Sequence, residues 1–412
     1  MNPESQTRHT RRPSALVMII GASTLLSGCS IWLRDGHFSL AAAMFLVAAA
    51  AAAPARQLCF DVRQRRLLAR RIVILGSGAM SVKLLEEIQN LDYRYQAAVA
   101  GVIDNEPLQQ SATTTWLGPT SELAEIVSRV RPERIVVAVA DRRETLPLQA
   151  LLESRVRGVI VEDVHEFYER LTGKIAIESV KPSALILSAR AFRNHRTTET
   201  VARSISLVAV TIGLVLCAPL MALIALAIKL ESRGPVLFVQ DRVGKNGHRF
   251  GLLKFRTMRE CDDRQSEWVQ DNEHRITRLG KWLRRFRLDE LPQLVNVLRG
   301  EMNLVGPRPH PTCNRKSFTD HIAYYQIRSS VRPGVTGWAQ VRYGYANNLE
   351  EETEKMRYDL YYIKNRSLWL DARILLRTVL VVIRGDSASR GGQMPNRPPL
   401  SWKPSAQRVR AS

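Results

Sequence analysis

The sequence predicts an α/β membrane protein with four parts: an N-terminal helical hairpin, a Rossmann-like parallel α/β domain, a re-entrant membrane helix, and a mainly α domain with amphipathic interface helices. Three observations predict it. Apolar runs at 14–33, 38–55 and 205–228 carry no charged residue, and they approach or reach the length that crosses a bilayer. Between the second and third, short apolar runs alternate with helical patterns, as in a parallel sheet covered by helices. After the third, apolar residues recur at helical spacing beside many arginines, the pattern of helices lying on a membrane surface. The implied divisions are a membrane hairpin at 1–58, a Rossmann-like domain at 70–190, a re-entrant helix with the domain that follows it at 200–385, and a flexible tail at 386–412.

The first two apolar runs are joined by the short link 34–37 and read as a hairpin. Arg11 and Arg12 precede it; Arg56, Arg63, Arg65, Arg66, Arg70 and Arg71 follow. Cytoplasmic segments carry the excess of Lys and Arg, so both ends are placed in the cytoplasm. A rival reading takes Leu26-Ser27-Gly28-Cys29 as a lipoprotein cleavage site, but small residues near a Cys are common in membrane helices. Next, residues 71–81 read as a buried strand, a Gly-rich turn and a helix start. Further strands are expected at 97–103, 135–139 and 158–161. Ser81 stands where a dinucleotide fingerprint needs its third Gly, and Asp104 lies at a ribose-contacting distance. The damaged fingerprint favours a fold that has lost its nucleotide.

The third apolar run carries Pro219 near its middle. Arg203 flanks one end and Lys229 and Arg233 the other. A spanning helix is basic on one side only. Basic flanks at both ends, with a helix-kinking Pro between them, predict a re-entrant hairpin that enters and leaves by the cytoplasmic face. Residues 230–244 then read as a turn and a strand. Lys254 and Arg256 alternate with Phe255 on a short strand with one basic face. Over 275–287, Ile276, Leu279, Leu283 and Phe286 make an apolar stripe crowded by Arg275, Arg278, Lys281, Arg284 and Arg285, suited to lipid phosphates. Near the C-terminus, Ile374, Leu375, Thr378, Val379, Val382 and Ile383 form another amphipathic face.

The stretch that carries chemistry is Arg287-Leu288-Asp289-Glu290-Leu291-Pro292-Gln293. Leu291, Leu294, Val295 and Leu298 follow at helical spacing, with Asp289 as the expected N-cap, Pro292 in the first turn and Gly300 as the stop. Adjacent residues on a helix project about 100° apart, so the two acids suit two different jobs. One could attack a phosphorus while the other holds a metal. Around them lie Lys254-Phe255-Arg256-Thr257-Met258, Gly306-Pro307-Arg308-Pro309, the run 332–340 and Arg357-Tyr358-Asp359-Leu360-Tyr361-Tyr362. Lys and Arg on rigid Gly/Pro turns are what a pyrophosphate site requires.

With these motifs in order from about 180 to 385, the chain resembles the catalytic domain of the monotopic polyprenyl-phosphate sugar-1-phosphate transferases, the bacterial sugar transferases of the large exopolysaccharide-initiating type. The resemblance implies an enzyme that moves sugar 1-phosphate from a UDP-sugar to a polyprenyl phosphate such as undecaprenyl phosphate, releasing UMP, with Mg2+ as cofactor. It implies Asp289 as nucleophile through a covalent phosphosugar, Glu290 as metal ligand, Lys254, Arg256 and Arg308 as phosphate holders, and Asp359 as a further acid near the site. It places the chain in the bacterial inner (cytoplasmic) membrane, against its lipid, with the catalytic domain on the cytoplasmic face. Accessory domains of this kind are dispensable to the core chemistry, so a chain starting near Val180 is expected to keep activity. A homodimer is compatible with these residues. The chain departs from the pattern at Ala218, Asn303 and His310, which leaves the donor sugar open.

Composition agrees with such partners. Among 412 residues, 60 Lys and Arg face 39 Asp and Glu, a net charge of +21. That excess suits nucleic acid, anionic lipid or phosphorylated ligands. No nucleic-acid module is legible, which leaves membrane and phosphate. Cys29, Cys59, Cys217, Cys261 and Cys313 form no C-x-x-C pair, as expected of free thiols in a reducing compartment without a cysteine metal site. An oxidoreductase working through 71–190 would need an intact glycine fingerprint and a Tyr-x-x-x-Lys base, and neither is present. A noncatalytic scaffold would not need paired acids beside a basic strand.

Overall fold

The computed structural model describes residues 71–89, 99–106, 114–139, 146–180, 196–259, 275–343, 346 and 348–384; the hairpin expected at 1–58 and the tail at 386–412 lie outside the described residues. The chain is mixed α/β. Its first described part is a five-stranded parallel sheet in the order β3-β2-β1-β4-β5, formed by β1 (Ile72–Leu75), β2 (Val99–Ile103), β3 (Trp116–Gly118), β4 (Arg134–Val137) and β5 (Ile160–Asp163). Side chains alternate across a strand, so β1 feeds two cores. Ile72 and Ile74 pack with α1 (Ala79–Gln89) and α4 (Val164–Thr172) on one face. Val73 and Leu75 pack with α2 (Leu123–Val130) and α3 (Leu148–Val156) on the other. Burial on both faces explains the continuous apolar run of this strand. The strand at 116–118 was not expected; three residues are too few to show alternation.

The glycine turn after β1 closes on its own chain. Gly76 has φ +105°, and a Cβ there would lie 2.9 Å from Val139 N. Ser81, at the third glycine position, is buried and donates its hydroxyl to Gly76 O at 2.5 Å. Asp104, expected at ribose-contacting distance, instead accepts from the backbone N–H of Ser77 and, at 2.7 Å, of Asn105.

The end of the accessory segment is built into the other half. Trp338 Nε1 donates to Gly173 O at 2.8 Å and Arg342 donates to Thr172 O at 3.1 Å. Lys174 pairs with Glu87 and Glu354, each at 2.6 Å. Ile175, Ile177 and Val180 share a core with Phe318, Ile322, Tyr325, Met356 and Leu360. The boundary expected at 190 therefore follows a segment that serves both halves.

Helix α5 (Arg196–Glu231) contains the single stretch among the described residues long and apolar enough to cross a membrane. Its helical run continues through Pro219 without an end, where the sequence predicted a kinked, re-entrant hairpin. Arg203 donates to Val297 O at 2.7 Å and Met302 O at 2.8 Å. An arginine expected to mark membrane orientation thus also satisfies carbonyls at the end of another helix. Further along, Ile224 and Ile228 pack on Phe255 and Leu283. The two flanks of α5 are thus fastened to different elements that follow it in the chain.

Those elements are the antiparallel hairpin β6 (Leu237–Val243) and β7 (Arg249–Phe255), α6 (Arg278–Arg285), α7 (Gln293–Arg299), the parallel pair β8 (Asn303–Val305) and β9 (Gly334–Thr336), α8 (Arg315–His321), α9 (Trp338–Arg342), α10 (Leu349–Lys364) and α11 (Leu368–Arg384). The basic amphipathic stripe expected at 275–287 is realised as α6, with Thr277 as its N-cap accepting from Gly280 N at 2.9 Å.

Candidate active site

Asp289 and Glu290 lie in a 3-10 turn, Leu288–Glu290, between α6 and α7. Arg287 enters it with φ 53°, a left-handed conformation uncommon for a non-glycine residue. Helix α7 starts later than expected, with Pro292 rather than Asp289 at its N-cap position. Pro292 has no N–H to give a carbonyl one turn back, so this entry closes by i→i+3 bonds, Leu291 N to Leu288 O and Leu294 N to Leu291 O. Gly300, φ +87°, ends α7 as expected. Only 8% of Asp289 and 7% of Glu290 is exposed. Acids that deep require partners.

The partners come from the same turn and from two distant segments. Arg308 Nη2 bonds Glu290 Oε1 at 2.7 Å, and Arg287 Nη1 lies 3.9 Å from Glu290 Oε2. Lys254 arrives on β7, and its charge acts on both acids. Strand and dyad are held together by Asn296, which is fully buried on α7. Its amide accepts from Leu253 N at 3.0 Å and donates to Gly251 O at 2.8 Å. It caps the free edge of β7 as a neighbouring strand would. Asn296→Ala leaves two half-buried backbone groups without their side-chain partner and is expected to cost about 1–3 kcal/mol, read as a lowered denaturation midpoint; an unchanged midpoint would contradict this role.

The two acids ionise in opposite directions. Burial and the neighbouring Glu290 push Asp289 up, to about 6. Burial also opposes the Glu290 charge, but Arg308, Lys254 and Arg287 overcome it and hold that carboxyl low, near about 2. Burial and the nearby Arg308 guanidinium bring Lys254 down to about 8.

Arg308 is aimed by the backbone around it. Gly306 and Gly334, from the two Gly/Pro motifs, cross so closely that a Cβ on Gly334 would lie 2.1 Å from Gly306 N. Gly334 N bonds Pro307 O and Gly306 N bonds Thr336 O, each at 2.9 Å. Buried Arg328 then donates to Arg308 O at 2.7 Å and pairs with Asp359 Oδ2 at 2.9 Å. Asp359 thus reaches the dyad through Arg328 and the Arg308 backbone, not as a side chain lining it. Its Oδ1 has no hydrogen-bond partner among the described residues.

His310 lies in the same buried cluster, with Nδ1 2.8 Å from Tyr325 Oη and Nε2 2.7 Å from Glu352 Oε1. Burial and Arg328 lower its pKa to about 3, which makes it a neutral structural hub. A cleft beside Arg308 is lined by Val243, Gly244, Pro307, Pro309, Tyr325 and Ser329. Of the expected phosphate holders, Lys254 and Arg308 meet the dyad. Arg256 is buried and donates to Ser232 O and Oγ at 2.9 Å each, with Nη1 lacking a hydrogen-bond partner among the described residues. It ties the end of α5 to β7. Sequence reasoning missed Asn296, Arg328 and the role of Arg287. Arg287 sat in plain view beside the acids; the other two stand in no legible motif.

Comparison with known proteins places the acid pair within a recognised segment. The bacterial sugar transferase family model matches residues 197–385. The UDP-N-acetylgalactosamine-undecaprenyl-phosphate N-acetylgalactosaminephosphotransferase of Aeromonas hydrophila is 39% identical over 231 residues, 55% of this chain and 53% of that protein. The chain therefore spans about half the length of that relative. A UDP-glucose:undecaprenyl-phosphate glucose-1-phosphate transferase of Xanthomonas campestris pv. campestris is 32% identical over 388 residues, 90% of this chain and 76% of its own. Its namesake from Caulobacter vibrioides is 46% identical over 189 residues, 45% of this chain and 71% of its own. The likeness to the Xanthomonas protein over nine-tenths of this chain, with the family match over the segment that holds the apolar helix and the acid pair, shows that the chain belongs to the bacterial sugar transferase family.

Proposed function

We propose that this chain transfers sugar 1-phosphate from a UDP-sugar to a polyprenyl phosphate, releasing UMP, as the first step of an exopolysaccharide. The observation that carries the reading is the pair of buried carboxylates held in opposite ionisation tendencies beside Lys254 and Arg308. An Asp289 Oδ attacks the phosphorus that bears the sugar. The bond from that phosphorus to the bridging oxygen breaks, and UMP leaves with the electron pair. A phosphate oxygen of the polyprenyl phosphate then attacks the same phosphorus and frees the Asp289 carboxylate. A raised pKa suits a nucleophile, since basicity and nucleophilicity rise together, while the ionised form is still reached near neutral pH. Lys254 and Arg308 hold the diphosphate, and Arg328 with Asp359 keeps Arg308 in place.

Mg2+ fits this donor set. The described residues contain no cluster of three or more His, Cys, Asp or Glu able to hold a metal, but Mg2+ typically uses one or two carboxylates and takes its other oxygens from water and substrate phosphates. Glu290, with Asp289 beside it, would hold the ion, which when bound neutralises diphosphate charge. The membrane reading follows from α5. Arg203 at one flank and Ile228 at the other are fastened to one catalytic body, which supports a shallow segment whose ends share the cytoplasmic face of the inner membrane. The accessory domain, with Ser81 in place of the third glycine and Asp104 bonded to the glycine turn, suits assembly or regulation. UMP release from a panel of UDP-sugars, with and without undecaprenyl phosphate, tests the reaction and identifies the donor. No UMP from any of them would reject it.

The pH profile offers a second check. Asp289 must lose its proton to attack, so activity should rise with pH through about 6. Lys254 loses its charge as pH rises through about 8, so activity should then fall. Lys254→Arg keeps the charge at all these pH values and should remove the alkaline limb while leaving the acid limb in place. A wild-type profile flat from pH 5 to 9 would contradict both roles.

A further inference from the structure

Strand β6 begins with three large apolar residues in the open: Leu237 is 42% exposed, Phe238 50% and Val239 56%. Phe238 is paired directly with Lys254 across the hairpin. Opposed residues of an antiparallel pair share a face, with Cβ atoms about 4.5–5.5 Å apart. The exposed ring therefore stands beside the cation that serves the dyad. Further along the same face of β6 come Gln240 and Arg242, and Arg242 donates to Pro309 O at 3.1 Å. The face thus runs from charged and bonded, near Arg308, to apolar and open at the start of the strand. That start is five residues from the end of α5, where Leu226 is 58% and Leu230 79% exposed. A phosphate-binding cation beside an uncovered aromatic ring, continuous in sequence with an apolar helix, matches an amphiphile with a phosphate head and a hydrocarbon tail.

We infer that Phe238 seats the first part of the hydrocarbon chain of a phosphate-headed lipid whose head group meets Lys254. The inference rests on the transferase reading above and adds the acceptor's place in the site: tail over β6, head at the dyad. A second copy of the chain is a poorer occupant. The outer edge of β6 is already covered at Asp241 and Val243, where Val243 N bonds His310 O at 2.9 Å and Thr312 N bonds Asp241 O at 3.3 Å. That leaves too short a free edge for strand addition.

The test uses full-length protein in detergent micelles, with Phe238→Ser and Phe238→Leu. Phe238→Ser should raise the KM for undecaprenyl phosphate at least tenfold and leave the KM for the UDP-sugar within about twofold, by the sequence-independent arithmetic of lost apolar contact. Phe238→Leu, which keeps an apolar side chain, should recover most of the loss. The Phe238→Ser penalty should shrink with a short prenyl phosphate, which has less tail to seat. Sedimentation with phosphatidylglycerol vesicles free of acceptor should match wild type. Loss of vesicle binding in parallel would mean a general bilayer contact and overturn the inference, as would an unchanged acceptor KM or a changed oligomeric mass. If the wild type turns over no UDP-sugar, the transferase reading fails by itself. Binding of labelled undecaprenyl phosphate without donor then decides the subsite: at least tenfold weakening in Phe238→Ser supports it, and equal binding rejects it.

Discussion

Asp289→Asn is expected to abolish transferase turnover while leaving the protein at least as stable as wild type. The amide keeps the size and hydrogen-bonding reach of the acid but cannot form the bond to phosphorus, and loss of a nucleophile typically costs about four to six orders of magnitude. Stability moves the other way because the Asp289 charge is strained by burial and by Glu290. A carboxyl whose pKa is raised on folding binds protons more readily folded than unfolded, so the fold loses stability as pH rises through the range up to about 6. Removing that charge relieves the penalty at neutral pH.

Glu290→Gln should also abolish turnover but weaken the fold. Its carboxyl is held low by Arg308, Lys254 and Arg287, so it contributes stability above the unfolded-state pKa and loses it as pH falls towards about 2. Leaving its cations without that partner is expected to cost about 3 kcal/mol. Exchange of labelled UMP into UDP-sugar without acceptor separates the roles further. Wild type should exchange, because a covalent intermediate makes the first half-reaction reversible alone. Asp289→Asn should not, at any Mg2+ concentration; Glu290→Gln should regain a trace at high Mg2+. If wild type fails to exchange although it turns over, Asp289 is a base or ligand instead.

A chain starting just after Val180 is expected to lose its cooperative unfolding transition and all activity, the opposite of what the sequence alone suggested for a start near that residue. Such a cut deletes Ile175, Ile177 and Val180 from a core they share with Phe318, Tyr325, Met356 and Leu360. Emptying a buried Ile site costs about 2–5 kcal/mol, and a whole domain is held by only about 5–15 kcal/mol. The cut also strips Lys174 from Glu354 and the Gly173 carbonyl from Trp338. Tyr325 touches His310, so the damage reaches the cluster that sets Arg308. Ile175→Ala with Ile177→Ala in the full chain should lower the denaturation midpoint strongly for the same reason. A truncated chain that unfolds cooperatively near the wild-type temperature and remains active would show that this segment is not part of the catalytic core.

What the sequence determined by itself was local. Apolar runs and helical spacing placed β1, β2, β4, β5, α5 and α6 close to where they lie, because those patterns depend on neighbours a few residues apart. Gly300 ended α7 because glycine enters the left-handed region without the Cβ clash that penalises other residues. The Asp289–Glu290 pair, with Lys254 and Arg308 as its cations, was also legible, since unusual residue types stood in a recognisable order. Only the tertiary structure decided which charges meet. Nothing between Asp289 and Gly300 foretold that Asn296 would complete the edge of β7, or that Arg203, from a membrane flank, would cap α7. Asp104 had the right spacing for a ribose, and the fold brings its carboxylate to the Ser77 N–H of the glycine turn. Asp359 had the right neighbours for a site acid and instead anchors Arg328. Each of these outcomes depends on segments tens of residues apart reaching hydrogen-bond distance, and a buried charge takes whichever partner the packing brings to it.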